Sequence, residues 1–503
     1  MATAEQALER VAKLYDQLSK RQRGVSRSFR YFEGEQPLVY ATPQWRAFHA
    51  DRYKKFADNW CGVVGRAPAD RLRIDGFRLG STGDVLTDDE KTLWEDWNRN
   101  ELGAQSKQGF LASTIAKRSF VLVWGDENDE PVVTWEHPGQ VIIDYAPGTR
   151  IRRAALKVWT DEHIEYATLY LPDGVWKFER PTYQLNADGR TESGIYVPSG
   201  MLPSLGGWKP REVDDEDWPM ENPLGEVPIV EWQNRPMLGQ EPLSDIAGVM
   251  AMQDAINMLW TYLFAAADHA SMPARVVLGS DLPKIPVLDE NGQVVSHRPA
   301  KLEDLAMGRM LFIPGTKDNK ASIDQWDAAK LDVFTGVIGV ALGHIAAQTS
   351  TPGHYLLSNE KFANLNGDAL TAAEVPLATK VEDQQLHYNP AAKETTALMA
   401  LVRGKKDLAE SIRKADGRRF VHWKDAGMHS LSQVADAATK DRAVGMSLRT
   451  VLEKRYGMTE DEIDRELDRI RAEADDPFAL LDPATRAAVK GAAGGDTNPG
   501  AGA

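Results

Sequence analysis

The segment from residue 331 to about residue 388 constrains the fold most, because two helical patterns are separated there by residues without a pattern. Leu331–Gln348 has the composition of a helix, Pro352 follows soon after it, and a second helix begins at Gly367. Loops of this length inside a compact domain are uncommon, and they are usually functional or disordered. The sequence therefore predicts a functional loop over residues 349–366, with a surface loop that has no role as the alternative.

The first of these two helices has three interior glycines, Gly336, Gly339 and Gly343. Each glycine costs a helix roughly 1 kcal/mol relative to alanine. Close packing against a neighbouring helix would offset that cost, so we expect this helix to lie against another one.

The totals favour a soluble globular protein of two to four domains. The chain has 503 residues, of which 42% are hydrophobic and 26% are charged. Cys61 is the single cysteine, which excludes an intrachain disulfide and fits a reducing compartment. The net charge of −15 disfavours a protein that grips nucleic acid through its overall field, although weak contact with DNA stays open.

No membrane segment is expected. The N-terminus lacks the apolar run of a signal peptide. The most apolar window, Ala255–Ala267, is too short to span a bilayer and is flanked by Asp254 and Asp268.

The middle of the chain alternates helix and strand patterns, which predicts an α+β fold. Helical patterns lie around residues 42–62 and 87–118. Short runs of β-branched and aromatic residues, separated by turn residues, predict strands. These runs are 119–124, 131–145, 153–159, 165–180, 274–279 and 308–315.

Three further helices are predicted from apolar spacing. The first covers residues 4–22, with Leu8, Val11, Ala12, Tyr15 and Leu18 on one face. The basic residues after it, from Lys20 to Arg30, fit a solvated helix end or an interaction surface.

The second, Leu243–Ala267, has a broad apolar face that includes Trp260 and Phe264, and Asp245, Asp254 and Asn257 lie off that face. The third begins at Gly367 and is expected to kink at Pro376 and to end near Tyr388. A new helix is expected to start there, with Asn389 as its cap and Pro390 in its first turn.

Motifs for catalysis, metal binding or cofactor binding do not appear. The phosphate-binding loop G-x-x-x-x-G-K-[ST], the G-x-S-x-G elbow, H-E-x-x-H and paired C-x-x-C motifs are all missing from the sequence. Cys61 is expected to be an inert packing residue, and His163, His269, His344 and His387 to be structural. We expect neither an enzyme nor a metal or cofactor site.

The order of the parts resembles the portal proteins of tailed double-stranded DNA bacteriophages, particularly those of long-tailed phages of actinobacteria. The segments that carry the resemblance run from residue 5 to about residue 475. They are "YFEGEQPL" (31–38), "NWCGVVGRAPADRLRIDGFR" (59–78), "EHPGQVIIDYAPGTRIRRAALKVW" (136–159), "ATLYLPDGVWKFER" (167–180), "NPLGEVPIVEWQNRP" (222–236) and "NGDALTAAEVPLATKVEDQQ" (366–385).

The resemblance implies a portal-type fold with an α/β wing, a two-helix stem, a small clip, a long kinked tunnel helix and a helical crown. The expected boundaries are residues 1–240 for the wing, 241–270 for stem helix 1, 271–325 for the clip, 326–348 for stem helix 2, 349–366 for the tunnel loop, 367–404 for the long kinked helix, 405–488 for the crown and 489–503 for a flexible tail.

The same resemblance assigns roles to individual residues. Gly336, Gly339, Gly343, Trp260 and Phe264 would pack the stem helices, and Pro376 would kink the tunnel helix. The tunnel loop would touch DNA through His354, Tyr355, Ser358, Asn359, Glu360, Lys361, Asn364 and Asn366. Tight DNA binding depends mainly on Lys and Arg, so this almost neutral set suits contact that does not arrest the duplex.

The resemblance also implies partners and a place of action. Twelve copies would form a ring at one capsid vertex, assembled in the host cytoplasm and retained in the virion. The ring would pass double-stranded DNA and would contact the major capsid protein, the scaffold, the terminase large subunit and the head–tail connector. The alternatives are an enzyme that processes nucleic acid and a non-viral oligomeric scaffold.

Overall fold

The structure, a computed structural model, describes most of the chain. The described residues are 2–36, 38, 56–79, 86–182, 207–213, 216–271, 275–278, 284–289, 292–299, 310–313, 322–325, 330–357, 367–427 and 431–475.

Thirteen α-helices lie within the described residues. They are α1 (Ala4–Glu33), α2 (Trp60–Ala69), α3 (Asp88–Arg99), α4 (Leu102–Ala116), α5 (Met250–Ser271), α6 (Asp332–Thr349), α7 (Gly353–Leu356), α8 (Gly367–Val402), α9 (Lys406–Lys414), α10 (Gly417–Phe420), α11 (Leu431–Ala443), α12 (Leu448–Tyr456) and α13 (Glu460–Asp475).

Sixteen strands accompany them in the same residues. They are β1 (Ile74–Phe77), β2 (Arg118–Gly125), β3 (Pro131–Glu136), β4 (Val141–Tyr145), β5 (Arg152–Asp161), β6 (Ile164–Tyr170), β7 (Gly174–Pro181), β8 (Lys209–Pro210), β9 (Met220–Glu221), β10 (Ile229–Gln233), β11 (Arg275–Leu278), β12 (Lys284–Leu288), β13 (Val294–Pro299), β14 (Met310–Ile313), β15 (Ser322–Gln325) and β16 (Val421–Trp423).

The chain divides into two compact units, and the mixture of helices and sheets confirms the predicted α+β class. The first unit holds Met1–Phe29, Val64–Ala247 and Leu365–Ala503, and the second holds Arg30–Val63 and Gly248–Asn364. The finer division into wing, stem, clip and crown stays a prediction.

Two antiparallel sheets form the frame of the first unit. One has the strand order β10-β2-β3, and the other has the order β4-β5-β6-β7-β8, with β9 also paired to β7. These strands match the predicted runs between residues 119 and 180. Phe120 and Ile229 of the first sheet pack with Val141, Ile143 and Ala155 of the second.

Helix α1 covers the larger sheet with a stripe that differs from the predicted one. Ala7, Val11, Leu14 and Leu18 are buried against it, whereas Leu8 is 37% exposed. The spacing of four, three and four residues is that of one helical face, so the predicted face containing Leu8 was displaced by about one position.

The same helix also continues to Glu33, so the predicted end near residue 22 is wrong. Arg21 is not part of a solvated helix end, because its guanidinium donates hydrogen bonds to the carbonyl oxygens of Pro138 (2.9 Å) and Val141. Burial is the main reason that the pKa of Arg21 falls to about 10.

Helix α8 runs through both of its prolines without interruption, so the predicted restart at Asn389 is wrong. Pro376 and Pro390 face solvent, where water can satisfy the carbonyl groups that lose a partner. The opposite face is buried through Leu377, Val381 and Tyr388. The side chain of Asn389 does not cap a helix, and its Oδ1 accepts a hydrogen bond from the indole of Trp423 at 2.7 Å.

Helix α5 begins at Met250, after a short 3-10 turn at Ala247–Val249, so the predicted start at Leu243 is too early. The Ser244 hydroxyl donates to the carbonyl of Ile115 at 2.6 Å and accepts from the backbone N–H of Ala247 at 3.2 Å. A serine oxygen that accepts from the N–H three residues further on caps the first turn, so Ser244 lies before the helix and not inside it.

The second unit contains α5, α6, α7 and five strands. β11 pairs in parallel with β14 and antiparallel with β15, and β12 and β13 form an antiparallel pair. The sequence predicted β11 and β14 but not β12 or β15. Pro286 lies within β12, and β15 has the sequence SIDQ with one apolar residue, so neither carries a strong strand pattern.

Candidate functional site

Helix α6 has an apolar face on each side, and within the described residues the second of these is uncovered. Its inner face, with Ile338, Leu342 and Ile345, is buried, and α6 packs against α5 within the second unit. The uncovered face is formed by residues spaced three or four apart, namely Val333 (58% exposed), Gly336, Val337 (49%) and Val340 (62%). A helix that is apolar on both sides is normally buried on both sides.

The glycines of α6 have open space beside them. A Cβ atom added at Gly336 or Gly343 would meet no heavy atom within 4 Å, and Gly339 is half-buried. The close helix packing predicted for Gly336 and Gly343 therefore has no counterpart within the described part of this chain.

Trp260 and Phe264, the two aromatic residues predicted to pack the stem, are engaged by residues of their own unit. The Trp260 indole donates to Asp58 Oδ2 at 2.7 Å. The ring of Phe264 lies edge-on to that of Phe56, with centroids 5.2 Å apart, and also contacts Trp260.

The polar residues that the sequence placed off the apolar face of α5 are buried. The Asp254 carboxylate accepts from the hydroxyl of Tyr31 at 2.7 Å, and Asn257 Oδ1 accepts from the backbone of Asp58 at 3.0 Å. Gln253 Oε1 accepts from the N–H groups of Trp60 and Cys61. These groups stand at the start of α2, where a backbone N–H has no partner within its own helix. Only the tertiary structure shows that a side chain of one helix caps another.

Cys61 is 1% exposed within this network. Burial, with a smaller effect of Asp254, raises the pKa of its thiol to about 12. Because the thiolate is the reactive form, native Cys61 is expected to resist iodoacetamide at pH 8 and to react rapidly once the chain is unfolded in urea. Stoichiometric labelling of the native protein, measured by mass spectrometry within minutes, would contradict this prediction.

The structure describes the first eight residues after α6, residues 350–357. Ser350 adopts a left-handed conformation (φ 55°), and the hydroxyls of Thr349 and Thr351 are 2.8 Å apart. Residues 353–356 then form the short helix α7, where the sequence predicted an irregular loop.

Two of the predicted loop residues lie on α7. The rings of His354 and Tyr355 pack edge to face, with centroids 4.8 Å apart. Ser358, Asn359, Glu360, Lys361, Asn364 and Asn366 lie outside the described residues.

A buried polar cluster that the sequence did not reveal holds α8 in the first unit. The Asp245 side chain is fully buried and lies 3.1 Å from Lys380 Nζ, while Arg235 also bonds to it. Asn234 and Gln384 each donate to the same carboxylate at 3.1 Å. Burial lowers the pKa of Lys380, and the nearby Asp245 opposes that shift.

Asp245 also fixes the chain just before α5. Its backbone N–H donates to the carbonyl of Thr114 at 2.9 Å. One carboxylate thus ties together the end of β10, helix α8 and the segment that leads out of the first unit.

Within the described residues, no three His, Cys, Asp or Glu side chains are arranged to hold a metal ion. In the same part of the chain, no helix is both long and apolar enough to span a membrane.

Comparison with known proteins gives two kinds of match. The family described as "Phage portal protein, SPP1 Gp6-like" matches residues 77–477. The chain is 26% identical over 390 residues to the portal protein of Mycobacterium phage L5, covering 74% of this chain and 69% of that protein. It is 25% identical over 390 residues to the portal protein of Mycobacterium phage D29, covering 74% and 70%.

Proposed function

Because the chain belongs to the SPP1 Gp6-like family of phage portal proteins, we propose that twelve copies form a ring at one capsid vertex, through which double-stranded DNA is packaged and ejected. The resemblance found in the sequence is thereby confirmed at the level of the family. Portal proteins are structural components of the virion that act as homo-oligomers. The number of subunits and the passage of DNA are parts of the proposal.

The uncovered face of α6 is the observation that best supports this proposal. Val333, Val337 and Val340 expose apolar surface, and Gly336 lets a second backbone approach. Exposed apolar patches mark interaction sites in soluble proteins. In a ring, this face of one subunit would meet a different face of the stem in the next subunit. Such head-to-tail contacts close a cyclic oligomer.

Residues 349–366 would project from the stem as the tunnel loop. His354 and Tyr355 supply bulk without a fixed positive charge, and the full sequence has a net charge of −15. Since duplex affinity comes chiefly from cations that neutralise phosphates, such a loop would touch the backbone and let it slide. The channel would guide DNA mainly by exclusion.

The remaining parts would make the contacts with other virion proteins. The clip, residues 271–325, would dock the terminase large subunit during packaging and the head–tail connector afterwards. The crown, residues 405–488, would face the capsid interior. The wing, residues 1–240 with the helix 367–404, would meet the major capsid protein and the scaffold.

Single-particle electron microscopy of the purified protein tests the proposal. We expect rings of about twelve subunits with an open axial channel. A monodisperse monomer or a compact dimer at all concentrations would contradict it.

Replacing Gly336 with leucine is expected to prevent ring formation and to leave the fold of the chain unchanged. A Cβ at this position meets no described heavy atom within 4 Å, whereas a leucine would fill the space that a neighbouring helix needs. Ring content is measured by size-exclusion chromatography with light scattering, and folding by circular dichroism.

Gly24→Leu is the matched control, because Gly24 is a helical glycine of α1 that also has no heavy atom within 4 Å of an added Cβ. Normal rings from the Gly336→Leu protein would show that this face of α6 is not the contact between copies.

A further inference from the structure

Among the described residues, the strand β10 is an edge strand with no partner on its outer side. Within those residues it pairs with β2 alone, and the pairs Pro228–Val123 and Asn234–Lys117 are hydrogen-bonded. Because hydrogen bonding alternates along an antiparallel strand, Glu231 and Gln233 point their backbone N–H and C=O groups away from β2. Among the described residues, none bonds to either N–H.

The opposite edge of the same sheet is treated differently. On β3 the outward N–H of Val133 donates to Asn100 Oδ1 at 2.8 Å, and that of Trp135 donates to Gln105 Oε1 at 3.3 Å. The carbonyl of Pro131 accepts from Asn100 Nδ2 at 2.8 Å. Proteins commonly cover edge strands to prevent unwanted pairing. In the part of the chain that the structure describes, β3 follows this rule and β10 does not.

The open edge forms the floor of a cleft of about 730 Å³. One wall is α8, at His387, Pro390 and Ala391, and the other is the turn before β5, at residues 149–152. An edge strand beside a helix, with room between them, is the geometry in which domains take up an extended segment as an additional strand.

The charges of the cleft are almost all neutralised within the chain. Arg413 pairs with Glu226 at 2.6 Å and with Glu394 at 2.9 Å, and Arg152 pairs with Glu394 at 2.6 Å. Glu231 is paired with Arg118 at 2.7 Å. Arg150, exposed at the rim, forms no salt bridge within the described residues. A fitting occupant therefore pairs mainly through its backbone and offers a carboxylate at one end.

We propose that an extended segment of a second copy of this chain adds to β10 as a new strand, with an acidic residue beside Arg150. This inference rests on the proposed function, because a homo-oligomeric ring places a second copy beside each chain. The net charge of −15 makes carboxylates plentiful on that copy. A head-to-tail contact presents a different surface of the neighbour, so β10 need not pair with itself.

Hydrogen exchange on the assembled wild-type oligomer tests the pairing directly. The amides of Glu231 and Gln233 are expected to exchange as slowly as those of Val133 and Trp135, the bonded edge of the same sheet. Exchange of the first two at the rate of exposed loops in the oligomer would overturn the inference. So would slow exchange that appears only after another virion protein is added, because the occupant would then not be a second copy.

Two variants at one position distinguish the effect of losing the backbone N–H from the effect of losing the side chain. Gln233→Pro removes the outward N–H, which an edge strand tolerates, and Gln233→Ala keeps it. We expect loss of the oligomer in the first and normal assembly in the second, with unchanged circular dichroism in both. Assembly of the proline variant, or failure of both variants, would contradict strand addition. Rings from the wild-type chain would still support the portal assignment, so the two proposals fail separately.

Discussion

Replacing Asp245 with alanine is expected to lower the free energy of unfolding by about 3–5 kcal/mol, because Lys380 would keep a buried charge without its partner. The Asp245 side chain is 0% exposed and that of Lys380 is 6% exposed. The substitution also removes the acceptor for Asn234 and Gln384, two further buried donors. Urea titration followed by tryptophan fluorescence measures the change.

Asp383→Ala is the matched control, because it removes a carboxylate from α8, the helix that carries Lys380. Its carboxylate is 51% exposed and lies 3.5 Å from His387, a contact worth less than about 1 kcal/mol at the surface. Equal urea midpoints for the two variants would contradict the view that Asp245 holds α8 in place.

Replacing Gly109 with alanine is expected to destabilise the first unit by about 3 kcal/mol, at the upper end for overpacked cores. A Cβ at this position would lie 1.9 Å from Cε3 of Trp135. That ring has little freedom to move, since it packs against Phe110 and Trp232 at centroid distances of 5.6 and 4.9 Å. The shift in melting temperature by circular dichroism measures the effect.

Gly103→Ala, in the same helix α4, provides the comparison. No heavy atom lies within 4 Å of an added Cβ there, so alanine should stabilise the helix by up to about 1 kcal/mol. If both variants melted above the wild type, the contact between α4 and Trp135 would be looser than the structure shows.

The elements that the sequence predicted well are those whose pattern is local. Strands β2 to β7 alternate or run apolar between turn residues, and α6 is apolar along most of its length. The family resemblance came from the order of such elements, so it needed no detail of packing.

The features that the sequence missed depend on residues far apart in the chain. Asp245 and Lys380 are separated by 135 residues, and Gln253 caps a helix that begins at Trp60. Asn389-Pro390 has the local signature of a helix start, but burial of Tyr388, Ala391 and Ala392 keeps the helix intact. The contrast between the covered edge of β3 and the open edge of β10 likewise exists only once the strands are paired.

The two prolines of α8 have a mechanical consequence. They are 14 residues apart, which is roughly 3.9 turns of helix, so they lie on nearly the same side. Each proline weakens the helix on its own side and bends it away from that side. Two bends in almost one plane add together, and the 36-residue helix, about 54 Å long, is expected to flex like a bow in a single direction. A lateral force on the first turns of α8 would then displace them within one plane. The part of the helix around Tyr388 would stay in place because it is buried.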